Sequence, residues 1–224
     1  MDSKFVLPFD KLSPVLKNLS PSYSVLTIND KYIFSYQTDY FDTPGMDMFS
    51  DHHNGKQNRY KIRQRAYIES DIRFIEVKFK SNKGRVIKDR IEKTYQDRKD
   101  FFGFVKKYTP YDPDSLQIIL SNRFNRFTMV DNSFKERVTV DFNLSFSDNK
   151  QIAGLNGLVI IEVKQNKNSR QSMIYNALRE NSLRPVSFSK YCLGVSLLRR
   201  HGKLNNFKQT INLINKLSHV ELSA

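Results

Sequence analysis

The stretch 58-NRYKIRQRAYIESDIRFIEVKFKSNKGRVIKDRI-91 places Arg59, Lys61, Arg63 and Arg65 at every second position, then repeats the device with Lys78 and Lys80 and again with Lys88 and Arg90. Successive side chains of a β-strand point to opposite faces, so this spacing gathers the cations onto one face of each strand. Cations facing cations across neighbouring strands repel one another. A negative partner is therefore expected on that face.

Reading outward, alternating β-branched and aromatic residues mark strands over Tyr32–Phe41, Asn58–Glu69, Arg73–Lys80, Arg85–Tyr95, Arg123–Val130, Glu136–Phe142 and Leu158–Gln165, with a short one from Ser3. Asn54-Gly55, Asn82-Lys83-Gly84 and Asn156-Gly157 supply residues that tolerate positive φ, and they read as hairpin turns between antiparallel strands. Helical spacing covers Phe9–Asn18, Arg98–Tyr108, Pro113–Ser121, Ser169–Asn181, Ser189–Arg200 and Asn206–Ser218.

Parity sorts each strand into an apolar and an ionic side. Ile75, Val77 and Phe79 oppose Glu76, Lys78 and Lys80; Val138, Val140 and Phe142 oppose Arg137, Thr139 and Asp141; Val159, Ile161 and Val163 oppose Glu162 and Lys164. For any single strand, a helical layer on one face and water on the other accounts for this pattern. For the set, cations predominate, with Glu76, Glu92 and Glu162 appearing singly among them. The expected class is α+β around a large antiparallel sheet with flanking helices; if about eight strands close into an antiparallel β-barrel tunnel with the polar side inside, its lumen is cationic and its edges are removed.

Composition narrows the partner. The 224 residues carry 37 Lys+Arg against 23 Asp+Glu, a formal net charge of +14, which favours phosphate-rich partners. The cationic faces lack the aromatic interleaving of single-strand binders, so nucleic acid is not expected. The single cysteine, Cys192, excludes an internal disulfide framework and a Cys-cluster metal site, and it reads as a buried structural thiol on a helix. No window approaches the roughly 20 apolar residues of a membrane span, and a cytoplasmic location is expected. His52 and His53, beside Asp47 and Asp51, read as loop decoration, and Lys83-Gly84-Arg85 lacks the glycines and following helix of a phosphate loop. A lone carboxylate among cations invites Mg²⁺ or Mn²⁺, which take one or two carboxylates and draw the other ligands from phosphate and water. Glu162 is the candidate.

Five pieces in order, Tyr40-Phe41-Asp42-Thr43-Pro44, Asn54-Gly55-Lys56 through Arg63-Gln64-Arg65, Phe74-Ile75-Glu76-Val77-Lys78, Ile161-Glu162-Val163-Lys164 and Phe188-Ser189-Lys190-Tyr191, resemble the VTC catalytic domain. That family, named for the vacuolar transporter chaperone complex, lies within the triphosphate tunnel metalloenzymes, and the resemblance runs from about Asp2 to about Leu198. It implies a polyphosphate polymerase that takes ATP and inorganic polyphosphate and requires Mn²⁺ or Mg²⁺. By similarity Arg63, Arg65, Lys78, Lys88, Arg126 and Lys190 form the catalytic set, with Lys4, Lys61, Arg90, Arg137, Lys164 and Ser189 binding substrate and Glu162 the metal. Fungal members carry a lysine where this chain has Ser187. Residues 1–202 are expected to form the tunnel domain, and 203–224 an amphipathic helix packed on it or on a partner, which allows an oligomer. The alternatives are a metal-dependent tri- or polyphosphatase of the same fold and a non-catalytic polyphosphate or nucleotide binder.

Overall fold

The computed structural model describes residues 2–17, 19–92, 98–165, 172–198 and 205–218. In chain order its elements are β1 (Asp2–Pro8), α1 (Leu12–Leu16), β2 (Tyr23–Val25), β3 (Phe34–Asp42), α2 (Asp47–His53), β4 (Arg59–Tyr67), β5 (Ile72–Lys80), β6 (Val86–Glu92), α3 (Arg98–Tyr108), β7 (Gln117–Asp131), β8 (Glu136–Ser147), β9 (Ile152–Leu155), β10 (Leu158–Gln165), α4 (Met173–Glu180), α5 (Lys190–Leu198) and α6 (Lys208–Ser218).

The alternating cationic stretch folds as the antiparallel meander β4–β5–β6. Gly84, at φ +74°, makes the β5–β6 turn that an L side chain would strain. Register sets Arg63 opposite Glu76, Lys61 opposite Lys78, and Lys78 opposite Lys88, so the cations of three strands do share one face. The whole sheet is antiparallel, in the order β1-β10-β8-β7-β3-β4-β5-β6, with β2 added at β7 and β9 at β8. Among the described residues the eight-strand path is not closed by pairing of β1 with β6. It curls nonetheless: Lys4 on β1 acts electrostatically on Lys61 of β4 and Lys78 of β5.

Three local expectations give way. The helix expected over Pro113–Ser121 is only a 3-10 turn at Pro113–Ser115, because Ile118 and Leu120 instead pair with Phe41 and Tyr40 and lengthen β7. Asn54-Gly55 ends α2 rather than forming a hairpin. That helix, read from sequence as a loop, starts where buried Asp42 accepts from the backbone N–H groups of Met48 and Phe49, both at 2.9 Å, satisfying donors a helix start leaves free. Asn156-Gly157 likewise joins two segments that both pair with β8, β9 along 144–147 and β10 along 136–141, while the chain reverses at Asp148–Gln151. The expected ends at Tyr95, Ser169 and Arg200 lie outside the described residues.

Three apolar clusters hold the sheet. On its convex side, α1 and α4 cover β1, β10 and β8 through Leu12, Val15, Ile174 and Leu178 packed on Phe5, Val138, Val159 and Ile161. Farther along, α3 covers β4 and β5 through Phe104 and Val105 on Ile62, Ile75 and Val77. The third cluster lies on the concave side, where Tyr191, Leu193 and Val195 of α5, with Ile211 and Ile214 of α6, pack on Val6, Tyr40, Leu120, Phe146 and Ile160. One end of the lumen is thus filled by helix. A Cβ on Gly194 would lie 2.5 Å from Phe146 Cδ1 and 2.6 Å from Leu120 Cδ2, so α5 approaches the sheet at a distance only glycine permits. Gly194→Val is expected to cost about 2–3 kcal/mol by overpacking, since valine returns only a few tenths of a kcal/mol in helix propensity; thermal denaturation should show the midpoint falling by several degrees.

Candidate functional site

Parity on eight strands delivers one concave wall. It carries Lys4 from β1, Glu162 and Lys164 from β10, Thr139 and Asp141 from β8, Asn122, Phe124 and Arg126 from β7, Tyr36 and Thr38 from β3, Lys61, Arg63 and Arg65 from β4, Glu76 and Lys78 from β5, and Lys88 from β6. Ser189 and Lys190, at the start of α5, reach it from the filled end. All the residues expected to bind phosphate therefore share a face, in two tiers. Lys78, Lys88, Arg90 and Arg137 are exposed to solvent, while Lys4, Lys61, Arg63, Arg65, Arg126, Lys164 and Lys190 are buried or half-buried. Arg90 lies at the rim with its guanidinium 4.6 Å from the Phe74 ring centre, and Arg137 stands opposite Lys164. Lys61 sits deep, where its Nζ donates to Ser189 Oγ at 2.9 Å.

Three carboxylates interrupt the cations, and their surroundings differ. Glu76, 1% exposed, ion-pairs with Arg63 Nε at 2.5 Å and with Lys88 Nζ at 2.6 Å. Burial alone would raise its carboxyl, but Arg63, Arg65 and Lys88 outweigh it and hold the group at about 2. Asp141 accepts from Arg126 through both its oxygens, at 2.5 and 2.8 Å, and also pairs with Lys190. Burial is outweighed there too, and Asp141 stays at about 2. Glu162 is held more loosely, 3.7 Å from Lys164 Nζ and 4.0 Å from Lys4 Nζ, with its carboxyl lowered by those lysines against its burial.

The remaining cations have less to neutralise them. Among the described residues Arg65 and Lys78 form no ion pair; Arg65 donates to Thr38 Oγ1 at 3.3 Å and lies 6.0 Å from the Tyr36 ring centre. Burial brings the Lys61 ammonium down to about 8, helped by Lys78 and Lys4. Lys190 is also brought to about 8 by burial, opposed by Asp141 and reinforced by Arg126. Aromatic faces supply partial compensation: Lys190 Nζ lies 4.4 Å from the Phe124 ring centre, and Arg126 5.2 Å from those of both Phe124 and Tyr36. The lumen retains a net positive charge suited to a polyanion.

Among the described residues no three His, Cys, Asp or Glu side chains gather as a metal cluster. Glu76 and Asp141 have their oxygens committed to arginine and lysine. Glu162 fits a hard divalent cation in one manner only, as a single carboxylate ligand with phosphate oxygens and water completing the shell. His53 is buried beside Phe49 and Phe207, ring centres 6.3 and 5.4 Å away, and takes part in packing.

A family model for the VTC domain matches residues 1–199. The chain belongs to the VTC domain family. No curated protein matches it in sequence. Among solved structures, this VTC domain is similar to a candidate adenylyl cyclase from Hippeastrum described as having a dominant triphosphatase activity, at 16% identity and TM-score 0.59, covering 87% of this chain and 94% of that one. A candidate adenylate cyclase from Bacillus halodurans matches at 11% identity and TM-score 0.54, over 84% and 92% of the two chains. One from Vibrio parahaemolyticus matches at 10% identity and TM-score 0.50, over 87% and 97%. At these identities the likeness is one of fold, and it is the tunnel fold.

Sequence reasoning placed the cations and set Glu76 and Glu162 singly among them, but it did not reach Asp141 as a counter-ion. Asp141 was visible as the third member of the Arg137-x-Thr139-x-Asp141 alternation, yet nothing local showed that Lys190, 49 residues on, would meet it. The same holds for Thr38 under Arg65 and for Phe124 under two cations. Glu76 and Asp141 titrate lower folded than the roughly 4 of free carboxylates, so their stabilisation is present above pH ~4 and lost as pH falls toward 2. Glu76→Gln should cost about 2 kcal/mol near pH 7, below the roughly 3–5 of a fully buried pair because Lys88 keeps solvent contact. In pH-dependent thermal melts the midpoint gap to the unsubstituted protein should shrink steadily between pH 5 and 2; a constant gap would mean that Glu76 acts by packing alone.

Proposed function

We propose that this VTC domain is a polyphosphate polymerase, transferring the γ-phosphoryl group of ATP to the end of a polyphosphate chain in the cationic lumen. The observation that carries this reading is the pairing of the buried carboxylates: Glu76 is engaged by Arg63 and Lys88 and Asp141 by Arg126 and Lys190, which hold both carboxyls well below the usual carboxylate range. Neither is basic enough to take a proton from water near neutral pH. An acceptor that is already ionised needs no such base, and a terminal phosphate is one.

In the reaction a terminal oxygen of the chain forms a bond to the γ-phosphorus while the bond between that phosphorus and the β–γ bridging oxygen breaks, and ADP leaves with the electron pair. Phosphoryl transfer asks the protein chiefly for positioning and charge neutralisation. Arg63 and Arg65, the former fixed by Glu76 and the latter by Thr38, present planar forks that bind phosphate oxygens in pairs. Arg126 and Lys190 flank them, and Lys61 approaches from beside Ser189. Lys78 and Lys88 receive the incoming polyanion at the exposed tier, with Arg90, Arg137, Lys4 and Lys164 extending the charge toward the rim. Bound phosphate raises the pKa values of Lys61 and Lys190, keeping both as ammonium. Glu162 would hold Mn²⁺ or Mg²⁺, which when bound neutralises phosphate charge.

The tunnel neighbour from Hippeastrum with triphosphatase activity marks the rival, with water as acceptor. Purified protein given ATP and Mn²⁺ should produce a ladder of long polyphosphate on a gel; release of orthophosphate without polymer would transfer the assignment to hydrolysis. Glu162→Gln should lower turnover at least 100-fold while tripolyphosphate binding without metal, read by calorimetry, changes less than about threefold. Equal losses in both would remove Glu162 from the role of metal ligand.

A further inference from the structure

The start of α5 is fastened to the sheet at three successive residues. Ser189 Oγ accepts from Lys61 of β4, Lys190 pairs with Asp141 of β8, and the Tyr191 hydroxyl donates to Asp42 at the end of β3. The outer two are hydrogen bonds through hydroxyl groups. The middle one is ionic, and its carboxylate serves a second cation, Arg126 of β7, in a two-pronged contact. Arg126 and Lys190 also share one ring, Phe124, at 5.2 and 4.4 Å. Two cations from different elements therefore lie side by side in a site of low exposure, and one buried carboxylate joins them.

We propose that Asp141 is a positioning residue of the phosphate site, holding Arg126 and Lys190 together at the filled end of the lumen and maintaining their charge toward a phosphate chain. Without it, two buried like charges would lie beside one aromatic ring with no carboxylate in direct contact, and lysine, the weaker base, would release its proton first. The groups that bear on Lys190 are Asp141 from β8, Arg126 from β7, Glu162 from β10 and, through Ser189, Lys61 from β4. Asp141 is the one of the two carboxylates in direct contact. Burial already brings Lys190 to about 8, within reach of ordinary assay conditions.

As it concerns phosphate turnover this inference rests on the proposed function, but its test is read from binding. Tripolyphosphate affinity of the full chain, without metal, is measured by calorimetry from pH 6 to 9.5 for the unsubstituted protein, Asp141→Asn and Asp141→Glu, with thermal melts alongside. In the unsubstituted protein affinity should fall as pH rises through the range where Lys61 and Lys190 lose their protons. Asp141→Asn should move that fall to lower pH by about one unit, with affinity at pH 6 held within about threefold, and Asp141→Glu should move it back toward the original position. An affinity lowered by one common factor at every pH, with the basic limb unmoved, would overturn the proposal and leave Asp141 as a packing residue. If Asp141→Asn does not fold, Lys190→Arg supplies the reading: a side chain that stays charged should flatten the basic limb, and an unchanged limb would overturn the proposal equally. Failure to make polymer from ATP, with the limb shifted as expected, would refute the polymerase assignment and leave this inference standing.

Discussion

Repulsion among the cations of one concave wall is the constraint to which the rest of the structure answers. Register sets Lys61 opposite Lys78 and Lys78 opposite Lys88, and repulsion from Lys78 and Lys4 adds to burial in lowering the pKa of the Lys61 ammonium. Buried carboxylates placed among them offset part of this. Glu76 serves Arg63 and Lys88, Asp141 serves Arg126 and Lys190, and Glu162 stands between Lys4 and Lys164. Two to one is the recurring ratio, and the uncompensated remainder leaves the wall with a net positive charge. Complete neutralisation would give a more stable wall with nothing to bind.

The helices can be understood from that wall. Those on the convex side cover the apolar parity of the strands and leave the charged parity to the lumen. The concave helix α5 does the opposite, bringing apolar residues inside and filling one end. It can come close because residue 194 has no side chain, and its first turn is oriented by partners on three different strands. Position and charge are joined at that turn, since Ser189 and Lys190 both anchor the helix and face the cationic lumen.

Most of the sheet was legible because period-two alternation is a strong local signal wherever one face is apolar and the other ionic. Arg59 to Arg65, Glu76 to Lys80 and Val159 to Val163 each announce their parity. Legibility failed where the decisive partner lies far along the chain. Ile118 to Leu120 carry an apolar run that suits helix or strand, and only β3 beside them decides. The histidine segment became a helix because Asp42 caps it, and a single aspartate five residues upstream is a weak local cue. The site divided in the same way: cations could be read from spacing, whereas the carboxylates and rings that set their charge come from other elements.

The sheet's two outermost strands fare differently. Along β1, the Val186 N–H bonds the Lys4 carbonyl at 2.7 Å and α6 packs nearby, so that edge is occupied. Among the described residues no strand pairs with the outer edge of β6, which carries Lys88, Asp89, Arg90 and Glu92 with Val86 and Ile87 exposed beside them. An exposed, partly apolar edge strand is a template for pairing with a second chain, and charge along it is the usual deterrent. Lys88 and Arg90 thus protect the molecule from aggregation as well as facing the lumen. Neutralising them to weaken anion binding would leave the strand open to edge-to-edge association.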